Sequence, residues 1–138
     1  MADYFTHFSC LLDVGAGNVE AALALYAQMA HDLEADDGLS IGFVVQPATG
    51  SASALWLHDE DHGEPEHVIA FALLCAKTFD LSGRWGFSWA LTCSRARLDA
   101  FGGGAQLLDL GARKSLAWVD CADWLARRLP AASPTEQT

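Results

Sequence analysis

Between Met1 and Ala76 the chain has no lysine and no arginine; the first base is Lys77. Binding to a phosphate backbone depends on Lys and Arg displacing its counterions. The N-terminal half is therefore excluded as a direct nucleic-acid contact. Long apolar runs are missing too. The longest, Val68 to Ala76, has nine residues, well short of the ~18–20 of a membrane-spanning helix, so no membrane association is expected. Met1-Ala2-Asp3-Tyr4 offers no basic patch ahead of an apolar segment, hence no secretory leader is read, and the expected location is cytoplasmic. Close cysteine pairs are absent as well: Cys10, Cys75, Cys93 and Cys121 are widely spread, which speaks against a cysteine zinc site. They read as four small buried hydrophobes, and no metal or cofactor is assigned.

What is present is acid. Of the 138 residues, 12 acidic ones fall in Met1–Ala76, followed by 6 acids and 8 bases, so a half at −12 precedes one at +2 within a net charge of −10. Such asymmetry bears on partners rather than on fold. Hydrophobic residues make up 51% of the chain, with five Trp and seven Phe. That composition suits one folded domain, read as 1–130 with a loose tail at 131–138.

Tyr4–Leu12 is aromatic and apolar without a breaker and predicts a strand. Gly15-Ala16-Gly17 interrupts it, and Asn18 is a suitable N-cap. Val19, Leu23, Tyr26, Ala30 and Leu33 then recur at helical spacing, with Ala22 and Met29 in the same stripe, in a helix ending before Gly38. Leu39–Gln46 alternates Ile41, Phe43 and Val45 as a strand does, and Ser53–His58 completes a hairpin with it. Pro65 between Glu64 and Glu66 opens a second helix. Arg84–Thr92 sets Trp85, Phe87, Trp89 and Leu91 against Gly86, Ser88, Ala90 and Thr92, the period of a strand with one packed face. The β-α-β-β-α-β order predicts an α+β, ferredoxin-like core. A C-terminal hairpin (Ala105–Leu110, Ser115–Val119) and a short helix (Asp123–Leu129, stopped by Pro130) are added to it.

Four segments carry candidate chemistry. Gly15-Ala16-Gly17-Asn18-Val19-Glu20 follows a strand as a dinucleotide turn does, but Glu20 stands where the third glycine belongs; it is read as an ordinary turn. His58–His67 mixes imidazoles with Asp59, Glu60, Asp61, Glu64 and Glu66, yet matches no metal-ligand spacing. Asp32, Glu34, Asp36 and Asp37 crowd the end of the first helix, where the macrodipole disfavours negative charge. Arg95 and Arg97 with Gly102, Gly103 and Gly104 could hold an anion through guanidinium and backbone N–H groups, Trp85 and Trp89 supplying a stacking wall. No nucleophile–base pair is legible, so no catalytic residue is assigned.

The expectation is a non-enzymatic protein whose two acidic stretches engage a basic protein surface. Its size and charge suit a decoy-type inhibitor of a nucleic-acid-handling protein, as antirestriction and anti-CRISPR proteins are. The alternative is a small-molecule or anion-binding domain, or a small enzyme, built on the Trp85/Trp89 and Arg95/Arg97/Gly102–Gly104 region. Edges of the added hairpin leave room for a homodimer.

Overall fold

In the computed structural model, which describes residues 3–98 and 100–129, the alternating and helical patterns resolve into six strands and three helices. The strands are β1 (Tyr4–Asp13), β2 (Val44–Pro47), β3 (Ala54–Asp59), β4 (Arg84–Cys93), β5 (Gly102–Asp109) and β6 (Lys114–Asp120). The helices are α1 (Val19–Asp37), α2 (Pro65–Phe79) and α3 (Cys121–Arg128). All strand pairs are antiparallel, and the sheet runs β2-β3-β1-β4-β5-β6. This is a mixed α+β architecture.

The period-2 pattern sends Phe8 and Leu12 of β1, Leu55 and Leu57 of β3, Phe87 of β4 and Leu108 of β5 into one core. On that side α2 contributes Val68, Phe71, Ala72, Cys75 and Ala76, while α1 adds Ala22, Leu23, Tyr26, Met29 and Leu33. Phe71 is fully buried, its ring 5.8 Å from Phe43 and 6.0 Å from Tyr26. Side chains of this size each stabilise the fold by about 1.5–3 kcal/mol when withdrawn from water. The opposite sheet face, which bears His7, Ser9, Trp56, His58, Ser88 and Ala90, lines a shallow depression of about 470 Å³.

Register fixes which ends meet. Phe8 pairs with Asp59 and Val44 with His58, so the start of β1, the start of β2 and the end of β3 lie together. The C-terminus of α1 leads into β2, and the N-terminus of α2 follows β3, so both are at that same end. Tyr4 pairs with Cys93, and Leu91 with Gly102, which puts the end of β4 and the start of β5 there too.

Several expectations are corrected. Only Val44–Gln46 of the anticipated Leu39–Gln46 strand pairs, and the pairing runs on to Pro47. Gly42 has φ 73° and its carbonyl accepts from the Glu64 N–H at 3.0 Å, so Ile41 and Phe43 are buried as a coil against α2. Asn18 precedes α1 without capping it; its side-chain amide instead donates to the Val14 carbonyl at 2.9 Å. The terminal helix begins earlier than Asp123, because the Asp120 side chain caps it by accepting from Ala122 N–H at 3.0 Å. Gly102–Gly104 belong to β5, which starts before Ala105. Cysteine burial is uneven: Cys75 is buried, Cys10 and Cys93 are partly so, and Cys121 is exposed. Pro130 and the tail 131–138 lie outside the described residues.

Candidate functional site: the acidic end of the sheet

The two acidic stretches come from opposite termini of their helices, one from the C-terminus of α1 and the other from the N-terminus of α2. Because these helices run antiparallel across the sheet, they meet at one end. The segment linking α1 to β2 is tied to α2 by the Glu64–Gly42 backbone bond and by His67 Nδ1, 2.9 Å from the Ile41 carbonyl oxygen. A Cβ on Gly42 would lie 2.4 Å from the Glu64 side chain, so glycine is what permits this approach.

Asp32, Glu34, Asp36 and Asp37 are all exposed. Asp32 accepts from Gln28 Nε2 at 2.8 Å. Asp36 and Asp37, with Asp32, rim a groove of about 430 Å³ whose floor is Leu25, Met29, Leu33 and Leu74. In the second stretch, Asp59 is committed to a turn, with its Oδ1 accepting from the N–H groups of Asp61 and His62 at 3.0 Å. Asp61 likewise holds the His62 N–H at 2.8 Å. Glu60, Glu64 and Glu66 are exposed. Among the described residues only Asp80 and Asp123 form ion pairs, with Arg113 and Arg127. None of the nine acids of the two stretches is in an ion pair within those bounds, although Arg95 and Arg97 follow β4 at the same end of the sheet.

A second concavity adjoins the first turn of α2. β5 reaches the shared core through Leu108, but β6 beyond it is exposed along nearly its whole length. This leaves a cleft of about 510 Å³ between Glu64, Pro65, Glu66 and Ile69 on one side and Trp89, Gln106, Trp118 and Asp120 on the other. Trp89 lies flat over Gly104, whose missing Cβ would otherwise sit 2.5 Å from the indole and 2.5 Å from the Val119 carbonyl oxygen. Phe87 supports the same indole at 5.4 Å.

That packing also accounts for two of the three glycines proposed as an anion cradle. At Gly103 (φ 150°) a Cβ would stand 2.3 Å from the Trp89 carbonyl oxygen, so Gly103 and Gly104 let β4 and β5 close upon each other. Arg95 and Arg97 are exposed in the loop after β4. Trp85 pairs with Leu108 at the far end of the strand and donates its indole N–H to the Leu11 carbonyl at 2.7 Å. It is therefore not brought to the arginines.

In the histidine-rich segment, His58 sits on β3, stacked on Trp56 at 3.6 Å and 2.9 Å from Gln46 Oε1, whereas His62 bridges to Thr6. Among the described residues no three His, Cys, Asp or Glu side chains converge in a metal-ligating arrangement. Burial pushes the thiols of Cys10 and Cys75 up to about 12, which makes them poor nucleophiles at neutral pH. Tyr26 is also raised, by burial first and then by the charge of Asp59; its hydroxyl donates to the Phe43 carbonyl. No described helix is long and apolar enough to cross a membrane.

Comparison with models of protein families, with curated proteins and with solved structures finds no match for this chain.

Sequence reasoning picked out the acidic residues and Trp89 but missed Gln106, Trp118 and Asp120. The signal available for them was geometric: a hairpin added to a two-helix core outruns the helices, so inward-facing residues of the extra strands are left uncovered.

Proposed function

We propose that this protein is a non-enzymatic binding module whose acidic end engages a basic surface on a protein partner. The observation that carries the reading is that Asp32–Asp37 and Asp59–Glu66 lie at one end of the sheet and none of them is in an ion pair with lysine or arginine among the described residues. A solubilising surface needs no such convergence. The apolar floor beside Asp32, Asp36 and Asp37 supplies what charge alone does not, a place for the partner's apolar side chains inside an acidic rim. Complementary charge speeds encounter and rejects acidic competitors.

The strand order β2-β3-β1-β4 with two helices on one face supports a ferredoxin-like core extended by β5 and β6. Such a core hosts many unrelated functions, so the function is argued from the site. A decoy that occupies the basic groove of a nucleic-acid-handling protein is the version best suited to the charge, because it would present to that groove the sign of a phosphate backbone.

The test is a binding titration against a basic probe protein, a histone or a protamine, over a salt series. Affinity should fall steeply as salt rises, and charge neutralisation at Asp36 and Asp37 should weaken it several-fold. Binding that is indifferent to salt, or no binding at low ionic strength, refutes the reading.

A further inference from the structure

The cleft beneath Trp118 asks for a more specific occupant than a positive field. Its lining combines two indoles, three carboxylates and an amide, and contains no lysine or arginine. Gln106 donates through Nε2 to Ser115 Oγ, which leaves its Oε1 free to accept. Asp120 spends one oxygen capping α3 and keeps the other. Arg127 and Arg128 share an adjoining concavity with Trp118 and Asp120, where Arg127 pairs with Asp123 at 3.0 Å and Arg128 lies 4.4 Å over the ring of Trp124. Trp118 is 64% exposed on an edge strand, an unusual place for a residue that contributes nothing to the core.

We infer that this cleft seats an arginine side chain of the basic partner. The inference rests on the reading of the acidic end as a partner-binding surface and names the contact that would give it specificity. A guanidinium is flat, weakly hydrated and rich in N–H donors. It can lie against an indole face while donating to Glu66, Asp120 and Gln106 Oε1. Trp89 is already held in place by Phe87 and Gly104, so little order need be gained on binding. A lysine ammonium, compact and strongly hydrated, matches the charge and can also approach a ring face, but it can neither stack flat on an indole nor present a planar fork of donors.

The experiment compares short peptides in which arginine alternates with glycine with lysine peptides of the same length and charge, by calorimetric titration at fixed salt. The arginine peptide should bind about two- to fivefold more tightly, the advantage of stacking flat and donating through a fork, with one exposed cation–π contact as its ceiling. Trp118→Ala, at an exposed edge position, should remove that preference, bringing the arginine peptide down to the affinity of the lysine peptide. Asp36→Asn/Asp37→Asn should weaken both peptides alike and preserve the ratio. Equal affinities for the two peptides would overturn the arginine site while leaving the basic-partner reading standing. Binding of neither peptide would overturn both. A preference that survives Trp118→Ala in a folded variant, checked by circular dichroism, also overturns the site.

Discussion

Replacing Asp36 and Asp37 together by asparagine should make the protein more stable and a worse binder. Both residues lie in the final turn of α1, just before Gly38, whose N–H groups and those of Leu39 close the helix on the Glu34 and Leu33 carbonyls. A negative charge there opposes the helix dipole at a cost of about 0.3–1 kcal/mol per group. Asp32 with Asp36, and Glu34 with Asp37, are also like-charge neighbours one turn apart, each pair costing about 0.2–0.5 kcal/mol. All four are exposed, so solvent screening holds the total near the lower bound, about 1 kcal/mol. Asparagine matches aspartate in size and nearly in helix propensity, and the change isolates charge. With an unfolding entropy of about 2.1 cal/mol/K per residue, this corresponds to a rise in Tm of about 3–4 °C. Scanning calorimetry at low salt should show the rise, and it should shrink near 1 M salt, where screening acts within about 3 Å. An unchanged or lowered Tm at low salt, or a gain of the same size at high salt, would refute the electrostatic account of this helix end.

Four further outcomes are expected. Phe71→Ala empties the space between Tyr26 and Phe43 and should cost about 3–5 kcal/mol in urea unfolding; a loss under 1 kcal/mol would mean that α2 is not docked through this ring. Gly104→Ala drives a methyl group into both the Trp89 ring and the Val119 carbonyl, and should destabilise by about 1–3 kcal/mol and shift tryptophan emission; a neutral result would show that Trp89 does not lie over this glycine. Iodoacetamide at pH 8 should label exposed Cys121 in the folded protein and Cys75 only on unfolding. The buried thiols also set an alkaline limit. Below the ordinary thiol value of 9.0, neither state is ionised at Cys10 or Cys75. From there up to about 12 the unfolded chain loses protons that the folded chain keeps. Stability should therefore fall as pH rises through that window, and a flat urea midpoint between pH 8 and 10.5 would contradict it.

Elements whose side-chain period is unambiguous were legible from the residues alone. The α1 stripe and the Trp85–Phe87–Trp89 alternation say which face is packed without reference to anything distant. Short-range reasoning stopped where a long-range bond intervened. Leu39–Phe43 alternates as a strand does, yet Glu64, far along the chain, captures the Gly42 carbonyl and holds the segment as coil. Asn18 has the chemistry of a cap, but the Val14 carbonyl competes for its amide. At the candidate site, the acid was visible as a count and its convergence followed only from the antiparallel run of α1 and α2. The Trp89–Trp118 cleft was invisible, since it arises where one layer of the fold is wider than the other.

The placement of β1 between β3 and β4 also bears on how the protein is made. β1 is synthesised before both of its neighbours, yet it is an interior strand of the sheet. One of its edges is satisfied once β3 exists, but Tyr4–His7 find their other partners only when Ala90–Cys93 have emerged. Until then the growing chain exposes an aromatic strand with an open ladder, a template for pairing with a neighbour. Over that interval the span Met1–Ala76 contributes only negative charge, since it holds no lysine or arginine. Mutual repulsion between half-made chains is strongest while the sheet is incomplete, and the late bases arrive with the strands that close it.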